Sequence, residues 1–308
     1  MSQSVKIWDM IILGGGPAGL TAAIYGSRAG HSVLLLEKMM MGGEIATTNQ
    51  VDNYPGFPEG VSGPELGNLM EKQAKRFGTE MENTEVKSVN LDNLPFKVET
   101  AKGDFQAKKL IIATGTVPRS LGVPGEEKLK GKGISFCASC DAFFYKNKTV
   151  AVLGGGDAAV EEALFLTRFA EQIYLIHRRH QLRAVKSLQD QMFENPRIKF
   201  LGNAVVEEIE GEQQVEGVKV KEGEDKYSLP LQGVFIYVGR IPNTEAVKGQ
   251  VQIDEGGYLL TDEAMKTSCA GVFAAGDVRQ KIFRQVSTAV SDGAVAAYSA
   301  SRELQVQQ

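Results

Sequence analysis

Apolar and polar positions along the chain fall into two stretches built to the same plan. Trp8–Leu13 is a short apolar run that stops at a cluster of glycines. Leu20–Ala29 has helical spacing and ends at Gly30, and Ser32–Leu36 is a second apolar run that closes on Glu37. Short apolar runs bounded by turn residues predict buried strands, and apolar residues recurring at three and four positions predict a helix. The same order returns at Thr149–Leu153, Ala158–Phe169 and Gln172–Ile176, around Gly154-Gly155-Gly156, and closes on His177. Gly14 stands as far before Glu37 as Gly154 does before His177. Two strand–turn–helix–strand units of one register are therefore expected.

Between them, Met39–Pro64 is rich in Gly, Asn, Thr and Pro, and a loop so long in a folded domain reads as a binding loop. Glu65–Phe77 predicts an amphipathic helix, followed by strand-like runs at Glu85–Val89, Lys97–Thr100 and Asp104–Ala107 and a buried strand from Leu110 into Gly115. Pro118 and Pro124-Gly125 punctuate a crossover. After the second unit, Arg197–Lys221 and Tyr227–Leu231 alternate as antiparallel strands do. Val234–Gly239 is a buried strand, Gly271–Asp277 a strand ending in Gly-Asp, and Ser287–Glu303 an Ala-rich helix. The expected fold class is α/β with two Rossmann-like, FAD/NAD(P)-binding domains. A crossover near 117 and a return near 245 make the first domain discontinuous, 1–117 with 246–308, and the second 118–245.

Composition narrows the function. Hydrophobic content of 43% and charged content of 23% are those of a soluble globular protein. A net charge of −4 without a long basic run argues against a nucleic-acid partner. No apolar run reaches the roughly 18–20 residues needed to span a membrane. The first strand begins too soon to leave room for a signal peptide, and three cysteines make no disulfide framework, so a reducing cytoplasm is expected. In that compartment the close pair Cys137-Ala138-Ser139-Cys140 is catalytic, redox-sensing or metal-binding rather than structural. The chain has no second Cys-x-x-Cys, and Cys269 and its three histidines have no ligand spacing, so no metal is expected. Asp141 follows the pair directly. Glu161-Glu162 are read as favouring the dipole of the helix that carries them, with no catalytic role.

The ends of the two units differ in charge. Gly14-x-Gly16-x-x-Gly19 fits a dinucleotide turn: the first glycine allows the tight turn, the second the approach of a pyrophosphate, and the third close helix–strand packing. The helix N-terminus offers N–H groups to phosphate, and Glu37 stands where an acid accepts ribose hydroxyls. In Gly154-x-Gly156-x-x-Ala159 the corresponding tip is His177-Arg178-Arg179, with Arg183 close behind. A carboxylate repels a 2′-phosphate and guanidinium groups pair with it. The first site therefore suits a nucleotide with free ribose hydroxyls, and the second suits NADPH.

With these residues in view, the chain resembles low-molecular-weight, bacterial-type thioredoxin reductases, within the two-dinucleotide-binding-domain flavoproteins, over essentially its whole length. Gly14–Gly19 with Glu37, Gly42-Gly43, Asn53-Tyr54-Pro55-Gly56 and Ala113-Thr114-Gly115 carry the resemblance. So do Cys137–Asp141, Gly154–Ala159, His177–Arg179 with Arg183, and Phe273–Asp277 with Arg284-Gln285. The resemblance implies FAD in the discontinuous domain, held by Gly14, Gly16, Pro17, Ala18, Gly19, Glu37, Lys38, Gly43, Glu44, Asn53, Ala113, Thr114, Gly115, Gly276, Asp277, Arg284, Gln285 and Val286. It implies NADPH in the other, at Gly154, Gly156, Asp157, Ala158, Ala159, His177, Arg178, Arg179, Arg183 and Gly239. It implies that Cys140 faces the flavin, that Cys137 attacks the disulfide of thioredoxin or a thioredoxin-like protein, and that Asp141 is the acid or base. It further implies a homodimer, and rotation of the second domain about Thr116–Gly122 and Ile241–Gly249 between half-reactions. A related reductase fed by NADH or ferredoxin, or a dithiol oxidase, is the alternative. The chain departs from the family pattern at Glu44 for Gln, Ala142 for Gly, and His180 for an acid.

Overall fold

The computed structural model describes residues 6–306 except Asn49, with the side chains of Ser139 and Cys140 outside that description. Two units are separated at 117/118 and 240/241: Met1–Val117 with Ile241–Gln308, and Pro118–Arg240.

The first unit is organised on a seven-stranded sheet. Its order is Glu80–Asn83, Val33–Glu37, Ile7–Leu13, Gly103–Ile112, Phe96–Thr100, Val86–Asn90, with Val272–Ala274 also paired to Gly103–Ile112. The first four strands are parallel, and Val86–Asn90 and Phe96–Thr100 add antiparallel pairs. Successive side chains of a strand point to opposite faces. Met10 and Ile12 accordingly pack with Leu20, Ala22 and Ala23 of the helix Pro17–Arg28, while Ile11 and Leu13 pack with Phe96, Val98 and Leu259. Burial on both faces is why Met10–Leu13 reads as an unbroken apolar run.

The helix Val286–Val306 lies against Pro17–Arg28 through small residues, Ala296, Ala297 and Ala300 among them. The approach is closest at Gly293, where a Cβ would stand 2.1 Å from the Ala18 carbonyl oxygen. Gly293→Ala is therefore expected to destabilise the protein by about 1–3 kcal/mol through overpacking. A thermal melt should show a midpoint several degrees lower, and an unchanged midpoint would mean that the helices separate at no cost.

One sequence expectation changes here. Asp104–Ala107 and the run from Leu110 are one ten-residue strand, Gly103–Ile112. The Lys108-Lys109 pair that divides the pattern is absorbed by partners. Lys108 Nζ meets Asp9 at 2.8 Å, and Lys109, 2% exposed, meets Glu303 at 2.7 Å. Charged residues are buried when they are paired.

The second unit has a five-stranded parallel sheet in the order Ile198–Gly202, Gln172–His177, Thr149–Gly154, Gly233–Tyr237, Ile134–Ser135. Val150 and Val152 face one apolar cluster with Val160 and Ala163 of the helix Asp157–Leu166. Ala151 and Leu153 face another with Val218 and Val220. Antiparallel strands were expected throughout Arg197–Lys221, and this holds only for its later part. Ala204–Glu210, Gly217–Glu222 and Asp225–Pro230 form a three-stranded antiparallel sheet. Ile198–Gly202 instead joins the parallel sheet, because the helix Lys186–Glu194 supplies the crossover that a parallel neighbour requires.

Candidate active site

In the first unit the strand Ile7–Leu13 ends at Gly14, which has φ +105° and where a Cβ would lie 2.3 Å from the Ala113 carbonyl oxygen. The Gly14 N–H donates to Leu36 O, and the Ala113 N–H to Leu13 O, which ties the turn to both neighbouring strands. At Gly19 a Cβ would stand 1.9 Å from Gly14 O, whereas at Gly16 it would meet nothing within 4 Å. Gly16 is the N-cap of the helix that begins at Pro17, and no side chain caps it. A closed turn with one open face is therefore presented at an uncapped helix N-terminus, where N–H groups and the helix dipole favour an anion.

The other residues expected at this site gather around that turn in two groups. The Gly42 N–H donates to Gly15 O, and a Cβ on Gly43 would lie 3.0 Å from Gly16 Cα, so the segment leading into the short helix Gly43–Thr47, with Glu44, runs along the turn. Both Glu37 oxygens are engaged, by the N–H groups of Gly15 at 2.7 Å and Met39 at 2.9 Å. Lys38 is exposed and pairs with Glu85. In the second group, Asn53 Nδ2 donates to Gln285 Oε1 at 3.0 Å, just before Val286 opens the last helix. Thr114 donates to Asn243 O, and Gly115 takes φ +63°. Gly276 takes φ +79° against the Ala18 side chain. Arg284 lies 4.0 Å over the Tyr258 ring and donates to the carbonyls of Asp277 and Arg279. Asp277 Oδ1 is buried without a hydrogen-bond donor, Lys281 Nζ approaching no closer than 3.6 Å. Buried polar atoms are almost always satisfied, so this oxygen marks a place for a ligand hydroxyl. The Gly276-Asp277 turn is held by Asp292, which sequence reading missed. This buried carboxylate accepts from Gly276 N–H, Lys281 and Arg279. Its one signal is an acid within an Ala-rich helical face.

The second unit repeats the turn. Gly154 takes φ +152°, and a Cβ there would lie 2.5 Å from Tyr237 O, while Gly156 is open and caps the helix Asp157–Leu166 without side-chain help. Ala159 closes the turn against Gly154, its Cβ being 2.8 Å from where a Gly154 Cβ would stand. Ala158 lies on the exposed side of that helix. Asp157 Oδ1 accepts Val185 N–H, and the Arg183 N–H donates to Gly155 O, folding the loop after His177 over the glycines. Arg178, Arg179 and Arg183 are exposed, and none forms an ion pair among the described residues. A hollow of about 410 Å³ is lined by Arg179, His180, Gln181, Leu182 and Arg183. Three exposed guanidinium groups without ion-pair partners among the described residues thus stand on the loop folded over an open helix N-terminus, a setting that favours an anion.

His177 stands apart from that cluster. Its ring packs on Gly155, it is buried, and its Nε2 has no hydrogen-bond partner. Burial, with Arg183, Arg178 and Arg179 adding to it, pushes the imidazole below its usual range, so the ring is a neutral floor beneath the basic loop. Gly239 takes φ +124° and accepts Arg119 N–H.

The cysteine pair follows the short strand Ile134–Ser135. Ser135 Oγ accepts the Cys137 N–H at 3.0 Å and donates to Cys137 O. Cys137 is disulfide-bonded, and Cys269 is a free thiol that burial pushes up. The expectation for the Cys140 sulfur lies outside the described residues, although the backbone there continues the short helix Ala138–Asp141. Ala142 is 2% exposed and packs with Ala138, Tyr145 and Val160, so its methyl group fills the core. Phe143 and Phe144, immediately after, are 73% and 69% exposed.

Behind the pair lies a polar link that sequence reading missed. The Ala138 N–H donates to Tyr237 Oη at 2.9 Å, and the charge of Glu162 acts on the same phenol. Burial, then the charge of Glu161, drives the Glu162 carboxyl up to about 7, with Tyr237 opposing the shift. Burial and the Glu162 charge push the Tyr237 phenol far above its usual range, and it stays protonated. Glu162 is thus a half-buried group rather than a solvated end of the helix dipole. A tyrosine inside the apolar run Val234–Val238 was the available signal, because a buried phenol seeks a partner.

Among the described residues no helix is long and apolar enough to cross a membrane, and no three or more His, Cys, Asp or Glu side chains gather as metal ligands would. A family model described as pyridine nucleotide-disulphide oxidoreductase matches residues 8–293. The thioredoxin reductase of Peptoclostridium acidaminophilum is 44% identical, over 96% of this chain and 97% of that one. The crystal structure of Lactococcus lactis thioredoxin reductase in its FR conformation superposes with a TM-score of 0.94 at 41% identity, covering 98% of this chain and all of the other. That of the T. acidophilum thioredoxin reductase gives 0.91 at 36% identity, covering 97% and 99%.

Proposed function

Because this chain belongs to the pyridine nucleotide-disulphide oxidoreductase family, we propose that it is an NADPH-dependent flavoenzyme that reduces the disulfide of thioredoxin or a thioredoxin-like protein. The observation that carries this reading is the difference between its two glycine turns. One is tipped by Glu37, and the other by unpaired arginines on the unit that also bears Cys137.

The residues present fit FAD in the first unit. Gly16 leaves room for the pyrophosphate, Glu37 is placed for the adenosine ribose, and the orphaned Asp277 Oδ1 awaits a ribityl hydroxyl. The pair Asn53 and Gln285, with Arg284, borders the position of the ring system. FAD held by these residues would supply a hydride acceptor and two-electron carrier between a nicotinamide and a disulfide. The second unit fits NADPH, with Gly156 open to its pyrophosphate and Arg178, Arg179 and Arg183 around the 2′-phosphate. Cys137 attacks the partner disulfide, Cys140 faces the flavin, and Asp141 supplies or removes the proton. The exposed Phe143 and Phe144 beside the pair offer a protein substrate an apolar seat. The reading includes rotation of the second unit about the crossing segments between half-reactions, a homodimer, and action in the cytoplasm.

The test is direct. The purified protein should be yellow, and its flavin absorbance should bleach with NADPH at least about tenfold faster than with NADH. Oxidised thioredoxin should then restore the colour and sustain turnover. No bleaching by either nucleotide would overturn the donor assignment, and bleaching without turnover would overturn the acceptor.

A further inference from the structure

The segment that joins the Gly276-Asp277 turn to the last helix carries two cations, Arg279 and Lys281, and both bond to Asp292, a buried carboxylate on that helix. Lys281 is the pivot of the group. Its Nζ donates to Asp292 Oδ2 at 3.0 Å and to Thr288 Oγ1 at 3.1 Å, and its side chain is only 7% exposed. Its distance to Asp277 Oδ1 is 3.6 Å, beyond the roughly 2.7–3.2 Å of a hydrogen bond. An ammonium group has three donors and no acceptor, so Lys281 has the capacity to serve a second carboxylate. It lies between two carboxylates and bonds to one.

Asp292 is engaged at both oxygens. Oδ2 accepts the Gly276 N–H at 3.0 Å beside Lys281, and Oδ1 accepts from Arg279 at 3.3 Å. Arg279 is held in turn by Thr261 at 2.9 Å. Asp277 is the contrast. Its main-chain carbonyl accepts from Arg284, while its Oδ1 is buried without a hydrogen-bond donor. A buried acceptor beside an ammonium group ordinarily takes it as a partner, because leaving the bond unmade is unfavourable. Asp277 lacks that partner because Asp292 and Thr288 retain it from the side of the helix.

We propose that Asp292 is a positioning residue for flavin binding that acts through Lys281: it keeps the ammonium group off Asp277, so that the Asp277 carboxylate stays a free acceptor for a hydroxyl of the ribityl chain. This rests on the reading that the first unit binds FAD. A full ion pair with Lys281 would draw charge from the whole carboxylate and fix its rotation, which weakens it as an acceptor. The ligand would then have to displace the ammonium group before bonding, and affinity falls by that amount. The sign is opposite to the one that charge alone gives. Removing the Asp292 charge makes the surroundings more positive, which by itself favours the anionic pyrophosphate of FAD. The arrangement of Lys281 predicts weaker binding instead. The proposal also differs from a purely structural role. If Asp292 served only to hold the Gly276 amide, the residue at position 281 would not matter to the effect of replacing it.

The experiment uses the full-length, flavin-loaded protein. The dissociation constant of FAD is measured by recovery of flavin fluorescence on serial dilution, with a thermal melt of each variant alongside. Asp292→Asn keeps an acceptor oxygen for the Gly276 N–H and removes the charge that retains Lys281. Its affinity for FAD should fall by about tenfold or more, the scale of one hydrogen bond to a charged group. Lys281→Met alone should bind FAD within about threefold of the parent, because Lys281 makes no bond to Asp277 in the unaltered protein. Adding Lys281→Met to Asp292→Asn should return the affinity to within about threefold of the parent, since no ammonium group remains to occupy Asp277. Asp292→Asn binding as tightly as the parent would overturn the proposal, and so would a double variant no better than Asp292→Asn. If Asp292→Asn does not fold, Lys281→Met decides by itself: a tenfold loss there would mean that the ammonium group assists the cofactor, and would overturn the proposal. A parent that carries no flavin would overturn the FAD reading and this inference with it. A parent that binds FAD, with variants that depart from this order, would overturn this inference alone.

Discussion

Replacing Arg178 and Arg179 together with alanine is expected to lower kcat/KM for NADPH by about a hundredfold or more while leaving NADH use nearly unchanged. A hydrogen bond to a charged group contributes about 1.5–3 kcal/mol, and each 1.4 kcal/mol is tenfold, so two lost guanidinium–phosphate contacts account for that size of effect. The loss should appear in KM rather than kcat, because a 2′-phosphate is far from the hydride and is bound equally in ground and transition states. Neither arginine has an ion-pair partner among the described residues and both are exposed, so removing them leaves no buried carboxylate stranded. The fold should tolerate the change. Steady-state kinetics with both nucleotides, at low and at physiological salt, measures the effect. A parallel fall with NADPH and NADH would place the arginines in general electrostatics instead of 2′-phosphate recognition.

The legible parts of this molecule are those where backbone meets backbone. Gly14 against the Ala113 carbonyl and Gly154 against the Tyr237 carbonyl leave no room for a side chain, so each turn is written into the chain as glycine. The charge at each strand end is equally local, which is why Glu37 and the arginine loop could be told apart by position alone. What could not be read is what distant residues do to one another. Lys109 looks like an exposed break in a strand until Glu303, 194 positions away, supplies its partner. The helix Lys186–Glu194 is short, polar on average and buries only Met192, so it went unread. Without it the strand Ile198–Gly202 looks antiparallel. Glu162 reads as a surface acid because its neighbour Tyr237 lies on another element. His177 reads as part of a basic cluster because its burial against Gly155 is a matter of packing. Asp292 shows the same thing in the first unit, a charge whose purpose is to hold Gly276 and the orphaned Asp277 in place.

The two cysteines should fail differently when replaced. In Cys137→Ser, turnover of thioredoxin with NADPH is expected to fall by about a thousandfold or more, because a serine hydroxyl neither forms the thiolate nor accepts a sulfur in exchange. Bleaching of the flavin by NADPH should persist, since that step needs no thiol. The Ser135 hydroxyl and the Tyr237 phenol bind the backbone on either side of position 137 and do not depend on its sulfur, so the local turn should survive the substitution. In Cys140→Ser, turnover should be lost as well, but Cys137 remains able to attack. A partner thioredoxin that lacks its resolving cysteine, and whose remaining cysteine is carried as a mixed disulfide with thionitrobenzoate, should then be captured as Cys137 displaces thionitrobenzoate, giving a stable mixed disulfide visible by non-reducing electrophoresis and located by mass measurement of the peptide containing Cys137. Cys137→Ser should capture none. An adduct that forms on Cys140 in Cys137→Ser, and is absent from Cys140→Ser, would reverse the assignment and make Cys137 the sulfur that takes electrons from the flavin. Capture by neither variant, with flavin bleaching intact in both, would leave the electron path inside the protein standing and would remove thioredoxin as its acceptor.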